Sequence, residues 1–315
     1  MASPRALMIL SENDTLVGPR DLTALVDMAV AAEAAGIDGV MLSEHIVLGP
    51  AAGALGRPAN PRDYAAPGNQ DPAFPWPSSL VLLSAMAART TTLRLAAAAV
   101  IFPLRHPLLL ARELGTLDLL SGGRLVVLPT VSWHEDEYQS LGVDFRRRGR
   151  ILDEQLAIWQ RIWQPGPTTF HGEFFDIDEA YLEPRAFRDR GPSLWIGGSS
   201  VHGKVAQRLA AYGHGFNPFG SVTAADLDVL RAAVESQGRE WNDIELVGGV
   251  RAALPPGDAR GSLKQAMEAV PAQVEMGFST ICVKPGMFID SVDEFPDFCR
   301  EVVDRLSEMS VPRIS

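Results

Sequence analysis

The chain has 315 residues, 46% of them hydrophobic and 21% charged, which is the balance of a soluble globular protein with room for a large core or two domains. Its formal net charge of −11 argues against a nucleic-acid partner, which needs a basic face to neutralise phosphates. No apolar run approaches the ~20 residues of a spanning helix, so none is expected in a membrane. The two cysteines, Cys282 and Cys299, form no CxxC pair, which excludes a cysteine-based zinc cage and fits reduced thiols in a cytoplasmic protein. Met1-Ala2-Ser3-Pro4-Arg5 is not followed by a secretory apolar core, and no signal peptide is expected.

In chain order, Ala6 to Leu10 reads as a first strand. Asp21 caps a helix from Leu22 to Ala35, rich in Ala, Leu and Val, and Gly36 stops it. Val40 to Ser43 follows as a buried strand that ends on two titratable residues, Glu44 and His45. Residues 46–77 break the pattern with Gly, Pro, Ala and the segment Phe74-Pro75-Trp76-Pro77, a loop long enough to be functional. Ser78 or Ser79 caps a helix to Arg89, and Leu93 to Phe102 is the third strand, closed by Pro103. Pro107 opens a helix over Leu108 to Leu120, where its missing N–H is harmless. Gly122-Gly123 ends it, and Arg124 to Leu128 is the fourth strand, continuing into Pro129-Thr130-Val131-Ser132-Trp133-His134.

Further on, Arg146 to Arg150 precede an amphipathic helix from Ile151 to Trp163. Residues 164–192 form a second insert, with a hairpin over Phe170 to Ile177. Ser193 to Ile196 is the fifth strand, followed by Gly197-Gly198-Ser199-Ser200 and a helix from Val201 to Tyr212. Gly213 to Asn217, Ile244 to Val250 and Ser279 to Val283 complete the strands, alternating with helices over 224–236, Leu263 to Glu275 and Asp293 to Glu308; the tail Ser310 to Ser315 reads as frayed. Eight strands alternate with helices, and without the two inserts about 250 residues remain, the size of a (β/α)₈ TIM barrel. A single α/β barrel domain over 1–315 is therefore expected. The alternative, an open doubly wound sheet, lacks a GxGxxG after an early strand.

In such a barrel the carboxyl ends of the strands form the active-site face, which draws attention to Glu44 and His45. The plainer reading is that they satisfy each other and nearby backbone. Gly197-Gly198-Ser199-Ser200 lies between strand and helix, where glycines let backbone N–H groups approach a phosphate and serines add donors at the positive helix end; a tight turn with serine caps is the alternative. Thr130, Ser132 and Trp133 are placed to lie beside a flat ring, or Trp133 packs in the core. Lys284 either supplies a cation to the same rim or is solvated. His106 reads as a helix cap, His171 as surface and His202 as near an anion, while His214 has no role assigned. Arg146 to Arg148 read as a solvated face with Asp153 and Glu154 as partners. Without HExxH or GxSxG, no metal site and no serine hydrolase are expected.

Several motifs together resemble the bacterial luciferase-like superfamily. They are Leu93-Arg94-Leu95, Ile101 to Pro107, Leu117 to Leu125, Arg148 to Glu154, Phe170-His171-Gly172 and Trp195 to Ser199, in family order over about residues 20 to 220. The resemblance implies a TIM barrel using FMN or the deazaflavin F420 for monooxygenation or hydride transfer on a small organic substrate. It also implies a homodimer and, if FMN-dependent, a separate flavin reductase. Residue by residue, it implies His45 as proton donor or acceptor with Glu44 orienting it. Ala98-Ala99 fall at a non-proline cis peptide bulge behind the ring, Thr130 and Ser132 line the ring, and Gly197, Gly198, Ser199 and Ser200 form the phosphate loop. Beside these, Phe74 and Trp76 in the first insert, with Trp133, are expected to wall the substrate pocket. The sequence departs from the family where many members carry Gly-x-Gly-x-Gly after the fourth strand, because Leu128 to Ser132 is bulkier. A flavin-binding barrel without catalysis, or a non-flavin hydrolase or lyase using Glu44 and His45, are the alternatives.

Overall fold

Eight parallel strands close on themselves in a computed structural model that describes residues 3–309. The strands are β1 (Arg5–Ile9), β2 (Gly39–Leu42), β3 (Arg94–Ile101), β4 (Leu125–Thr130), β7 (Ser193–Gly198), β8 (Gly215–Pro218), β9 (Glu245–Gly249) and β10 (Thr280–Val283). Each pairs with its neighbours in sequence order around the ring, and β10 returns to β1 with Arg5 opposite Thr280. The expected TIM barrel is the observed fold. The remaining strands, β5 (Thr168–His171) and β6 (Asp176–Ala180), form the antiparallel hairpin expected in the second insert.

The helices follow from the same local rules. Asp21 caps α1 (Leu22–Ala34) by accepting the Ala24 amide, and Ser78 caps α2 (Ser79–Arg89) through Val81. Pro107 opens α3 (Pro107–Leu120), and the His106 ring accepts the Leu108 amide, which bears out the capping role expected of it. A short helix, α4 (Glu135–Ser140), was not expected; three acidic residues fill its first turn, where the helix dipole favours them. Then come α5 (Arg148–Ile162), α6 (Gly203–Tyr212) and α7 (Ala224–Glu235). The helix expected over 263–275 is two pieces, α8 (Leu263–Met267) and α9 (Val270–Glu275), because Pro271 has no N–H to continue the ladder. The chain closes with α10 (Phe295–Ser307). The tail expected to fray, Ser310 to Ser315, lies outside the described residues. Among the described residues no helix is long and apolar enough to cross a membrane.

Two cores result. A large one lies between strands and helices; a small one fills the barrel with Leu7, Met41, Ala96, Ala98, Val126, Leu128, Trp195, Val247 and Cys282. Below it, at the amino end, Glu245 plugs the floor. Arg94 grips its carboxylate with two bonds of 2.8 Å, and Trp195 Nε1 and Thr280 Oγ1 donate to it. These contacts close the amino end of the barrel.

The first insert roofs that end and is fastened at its middle. Arg62 donates to the carbonyls of Asp258, Gly286 and Ile289 and pairs with Asp290, while Asn60 donates to the carbonyls of Pro255 and Ala259. The second insert docks its hairpin through Glu173, which pairs with Arg147 and Arg150. The partners expected for that arginine run are otherwise used: Asp153 takes Arg208 and Lys204, and Glu154 accepts the amides of Glu173, Phe174 and Phe175.

Candidate active site

His45 stands three residues beyond β2, inside a ring of aromatic groups. Trp76 and Trp133 meet it edge-on at 5.1 and 5.6 Å between ring centroids. Phe74 packs on Trp76 at 5.5 Å. The expected pocket residues Phe74, Trp76 and Trp133 therefore come together around His45.

The carboxylate beside His45 is not Glu44. Consecutive residues of an extended chain point to opposite sides, so Glu44 turns away while His45 faces the mouth. Glu44 is buried, and its oxygens receive Arg105 at 2.7 and 2.9 Å, the Ile101 amide at 2.8 Å and the Ser79 hydroxyl at 3.3 Å. It ties the end of β2 to β3, α2 and the start of α3. Its expected role of orienting His45 is corrected accordingly.

Glu137, on α4, takes that place. It is fully buried, and its Oε2 lies 3.2 Å from His45 Nδ1. Its Oε1 accepts the Ile46 amide at 2.5 Å and the Val47 amide at 3.4 Å, while Ser132 Oγ donates to Oε2 at 3.4 Å. A carboxylate only accepts, so the proton on the His45 contact belongs to Nδ1. The neutral ring then presents Nε2 as an acceptor. Among the described residues Nε2 has no protein partner, and it is not sealed from solvent. Neither Glu137 nor Arg105 is among the expected site residues. The acidic run Glu135-Asp136-Glu137 after the fourth strand was the available signal, and Arg105 lies within the Ile101 to Pro107 stretch that resembles the family.

Beside this pair, Ser132 adopts a left-handed φ of 56°, uncommon for a non-glycine residue. Its amide donates to Thr130 Oγ1. His134 is buried, and its Nε2 accepts the Gly49 amide at 2.7 Å, fastening the start of the first insert. Burial pushes its pKa down, against the pull of Asp136 and Glu137.

On the neighbouring strand the Ala98–Ala99 peptide is cis, and the β3–β4 register shifts between Ala98 and Val100. At β7, Gly197 and Gly198 lead into Ser199 and Ser200, both exposed, and then to the amino end of α6, which no side chain caps. A Cβ on Gly197 would stand 2.6 Å from the Asn217 carbonyl, so only glycine fits there. His202 is the exposed residue preceding α6. Lys284 is neither a rim cation nor solvated. It is fully buried, donates to the Asp63 carbonyl at 3.2 Å and lies 4.7 Å from the Tyr64 ring centroid. Burial lowers its pKa, opposed by Glu12 and Asp14. His171 is exposed and pairs with Asp176; His214 is structural, its Nδ1 accepting the Leu194 amide. Among the described residues no cluster suited to a metal ion occurs.

Fold and site together define a (β/α)₈ barrel with a histidine–carboxylate pair and an uncapped helix end at one mouth. A family model described as luciferase-like monooxygenase matches residues 5–270, and the chain belongs to that family. An uncharacterized protein of Mycobacterium tuberculosis is 32% identical over 218 residues, 68% of this chain and 71% of its own length. Two solved structures share the fold. An F420-dependent secondary alcohol dehydrogenase bound to an F420–acetone adduct has a TM-score of 0.70 at 14% identity, covering 97% of this chain and 99% of its own. The oxygenating component of a 3,6-diketocamphane monooxygenase from the CAM plasmid of Pseudomonas putida, bound to FMN, has a TM-score of 0.67 at 17% identity, covering 100% of this chain and 99% of its own.

Proposed function

We propose that this protein is an oxidoreductase that binds F420 or FMN at the carboxyl mouth of the barrel and acts there on a small organic substrate, with His45 as the proton-transfer group. The observation that carries the reading is the His45–Glu137 pair, with Nε2 free of a protein partner among the described residues and Trp76 and Trp133 packed edge-on against the ring.

The residues present fit such a cofactor. The glycine pair, the exposed serines and the uncapped start of α6 form a cradle of backbone donors at a positive helix end, which suits a phosphate. Ala98 and Ala99 at the β3 irregularity, and Thr130 and Ser132 at and just beyond the end of the neighbouring β4, offer small side chains to a ring system. Once bound, a reduced flavin or F420 supplies the redox chemistry, hydride transfer or monooxygenation. The protein's own part is to hold and move a proton. Glu137 fixes the His45 ring with Nδ1–H inward, so Nε2 accepts a proton from the substrate or returns one, and Glu137 stabilises the resulting imidazolium. Trp76, Phe74 and Trp133 keep water from the substrate side.

Fluorescence titration of the purified protein with F420 and FMN, each in both redox states, tests the reading. Binding of F420 alone points to hydride transfer. Preference for reduced FMN points to a monooxygenase served by a separate reductase. Binding of neither sinks the proposal. A homodimer belongs to the same reading, supported by Val81 on α2 and Leu109 on α3, apolar side chains 68% and 63% exposed on neighbouring helices; sedimentation as a monomer overturns it.

A further inference from the structure

Behind Trp76 a pocket runs between the outer ends of β1 and β2 and the helices α1 and α2. Phe74 to Pro77 roof it. It holds roughly 530 Å³ of non-atom space, part of it open to solvent. Its floor is aliphatic and buried: Leu10, Val17, Leu25, Leu42 and Leu82.

The polar side chains deep in its wall are already engaged. Ser11 Oγ receives the Ser43 amide at 2.7 Å and bonds the Ser43 hydroxyl at 2.9 Å. Asn13 donates to the Ile9 and Ser11 carbonyls and accepts the Gly286 amide. Ser79 donates to Glu44. The two carboxyl groups of the lining, Glu12 and Asp14, belong to the β1 end, and Asp14 is exposed. A guest in the pocket therefore meets mainly hydrocarbon and indole, with the two carboxyl groups at the β1 end. An anion would lose its water with nothing to replace it and would meet those carboxyl groups. An apolar group gains on transfer. Trp76 lines this space, and its ring centroid also lies 5.1 Å from that of His45.

We propose that this pocket binds the apolar part of the substrate, a neutral molecule carrying a small hydrocarbon group whose reactive end reaches past Trp76 to His45. That the guest is a substrate rests on the oxidoreductase reading; that the pocket takes neutral hydrocarbon does not.

Calorimetric titration of the cofactor-free full chain with 1-hexanol and with hexanoate tests it. Hexanol binds saturably with a negative heat-capacity change, and hexanoate binds at least about tenfold more weakly, as unpaired burial of a carboxylate demands. Leu82→Trp, which fills the pocket from α2, abolishes hexanol binding and leaves the F420 and FMN titrations unchanged. Leu25→Phe fills it from α1 and serves if the tryptophan variant loses its cooperative melt. Hexanol also shifts the ring resonances of His45. Absence of hexanol binding, equal binding of hexanoate, wild-type binding by both filled variants or an indifferent His45 each overturns the proposal. Failure of both cofactors to bind the wild type, with hexanol binding intact, overturns the oxidoreductase reading instead.

Discussion

Replacing Glu137 by Gln preserves size and alters one relation, the acceptor facing His45. In the native protein a buried carboxylate receives Nδ1–H at 3.2 Å. Hydrogen bonds to charged groups contribute about 1.5–3 kcal/mol. At about 1.4 kcal/mol per factor of ten, that holds His45 in the Nδ1–H form by roughly ten- to hundredfold. The amide oxygen of Gln can still receive the Ile46 and Val47 amides, whose bonds run to Oε1. Its NH₂ then faces Nδ1, which must give up its proton to accept. The ring switches to Nε2–H, and the acceptor is lost from the open side. Two-dimensional ¹⁵N–¹H spectra of the imidazole read this directly, without a substrate. The wild type shows Nδ1–H as the dominant neutral form, and Glu137→Gln shows Nε2–H. With a substrate in hand, turnover falls about 10²–10⁴-fold, the range of a general acid–base contribution, while cofactor affinity changes little. An unchanged tautomer in the Gln variant refutes the assignment of Glu137 as the group that orients His45.

Four further outcomes follow from the same geometry. His45→Ala lowers turnover far more than cofactor affinity, measured by initial rates beside fluorescence titration, and equal turnover removes its role. Glu245 is raised by burial but pulled further the other way by Arg94, Arg5 and Thr280, down to about 2. Its folded pKa is depressed, so its contribution, on the order of 3 kcal/mol, is present above about pH 4.5 and is lost as pH falls toward 2; urea unfolding from pH 5 to 3 shows this slope in the wild type and a flatter one in Glu245→Gln. His134 must stay neutral to accept the Gly49 amide, and its depressed folded pKa means that this fastening is complete above about pH 6.5 and weakens as pH falls below. Hydrogen exchange of residues 46–51, after correction for intrinsic rates, therefore loses protection in acid, and pH-independent protection contradicts it. Gly197→Ala forces a methyl group to within 2.6 Å of the Asn217 carbonyl; overpacking of this kind costs about 1–3 kcal/mol and appears as a lower midpoint in chemical denaturation.

Much of the architecture was legible because the signals for it are local. Apolar runs bounded by Gly and Pro marked most of the barrel strands, Asp21 and Ser78 marked helix starts by side-chain bonds three residues on, and Pro107 marked one by its missing N–H. The motif order pointed to the family, and the cis peptide at Ala98–Ala99 fell where the resemblance put it. Tertiary structure decided the rest. Sequence adjacency joined Glu44 to His45, yet alternation along an extended chain separates neighbours and brings together residues 92 apart, His45 and Glu137. Lys284 read as a rim cation or a solvated lysine because its covering, Asp63 and Tyr64, comes from an insert more than two hundred residues earlier. The hydrocarbon pocket behind Trp76 likewise needs β1, β2, α1, α2 and the insert in place at once. Local composition carries which elements form; which side chains meet depends on barrel closure, and no spacing along the chain encodes that.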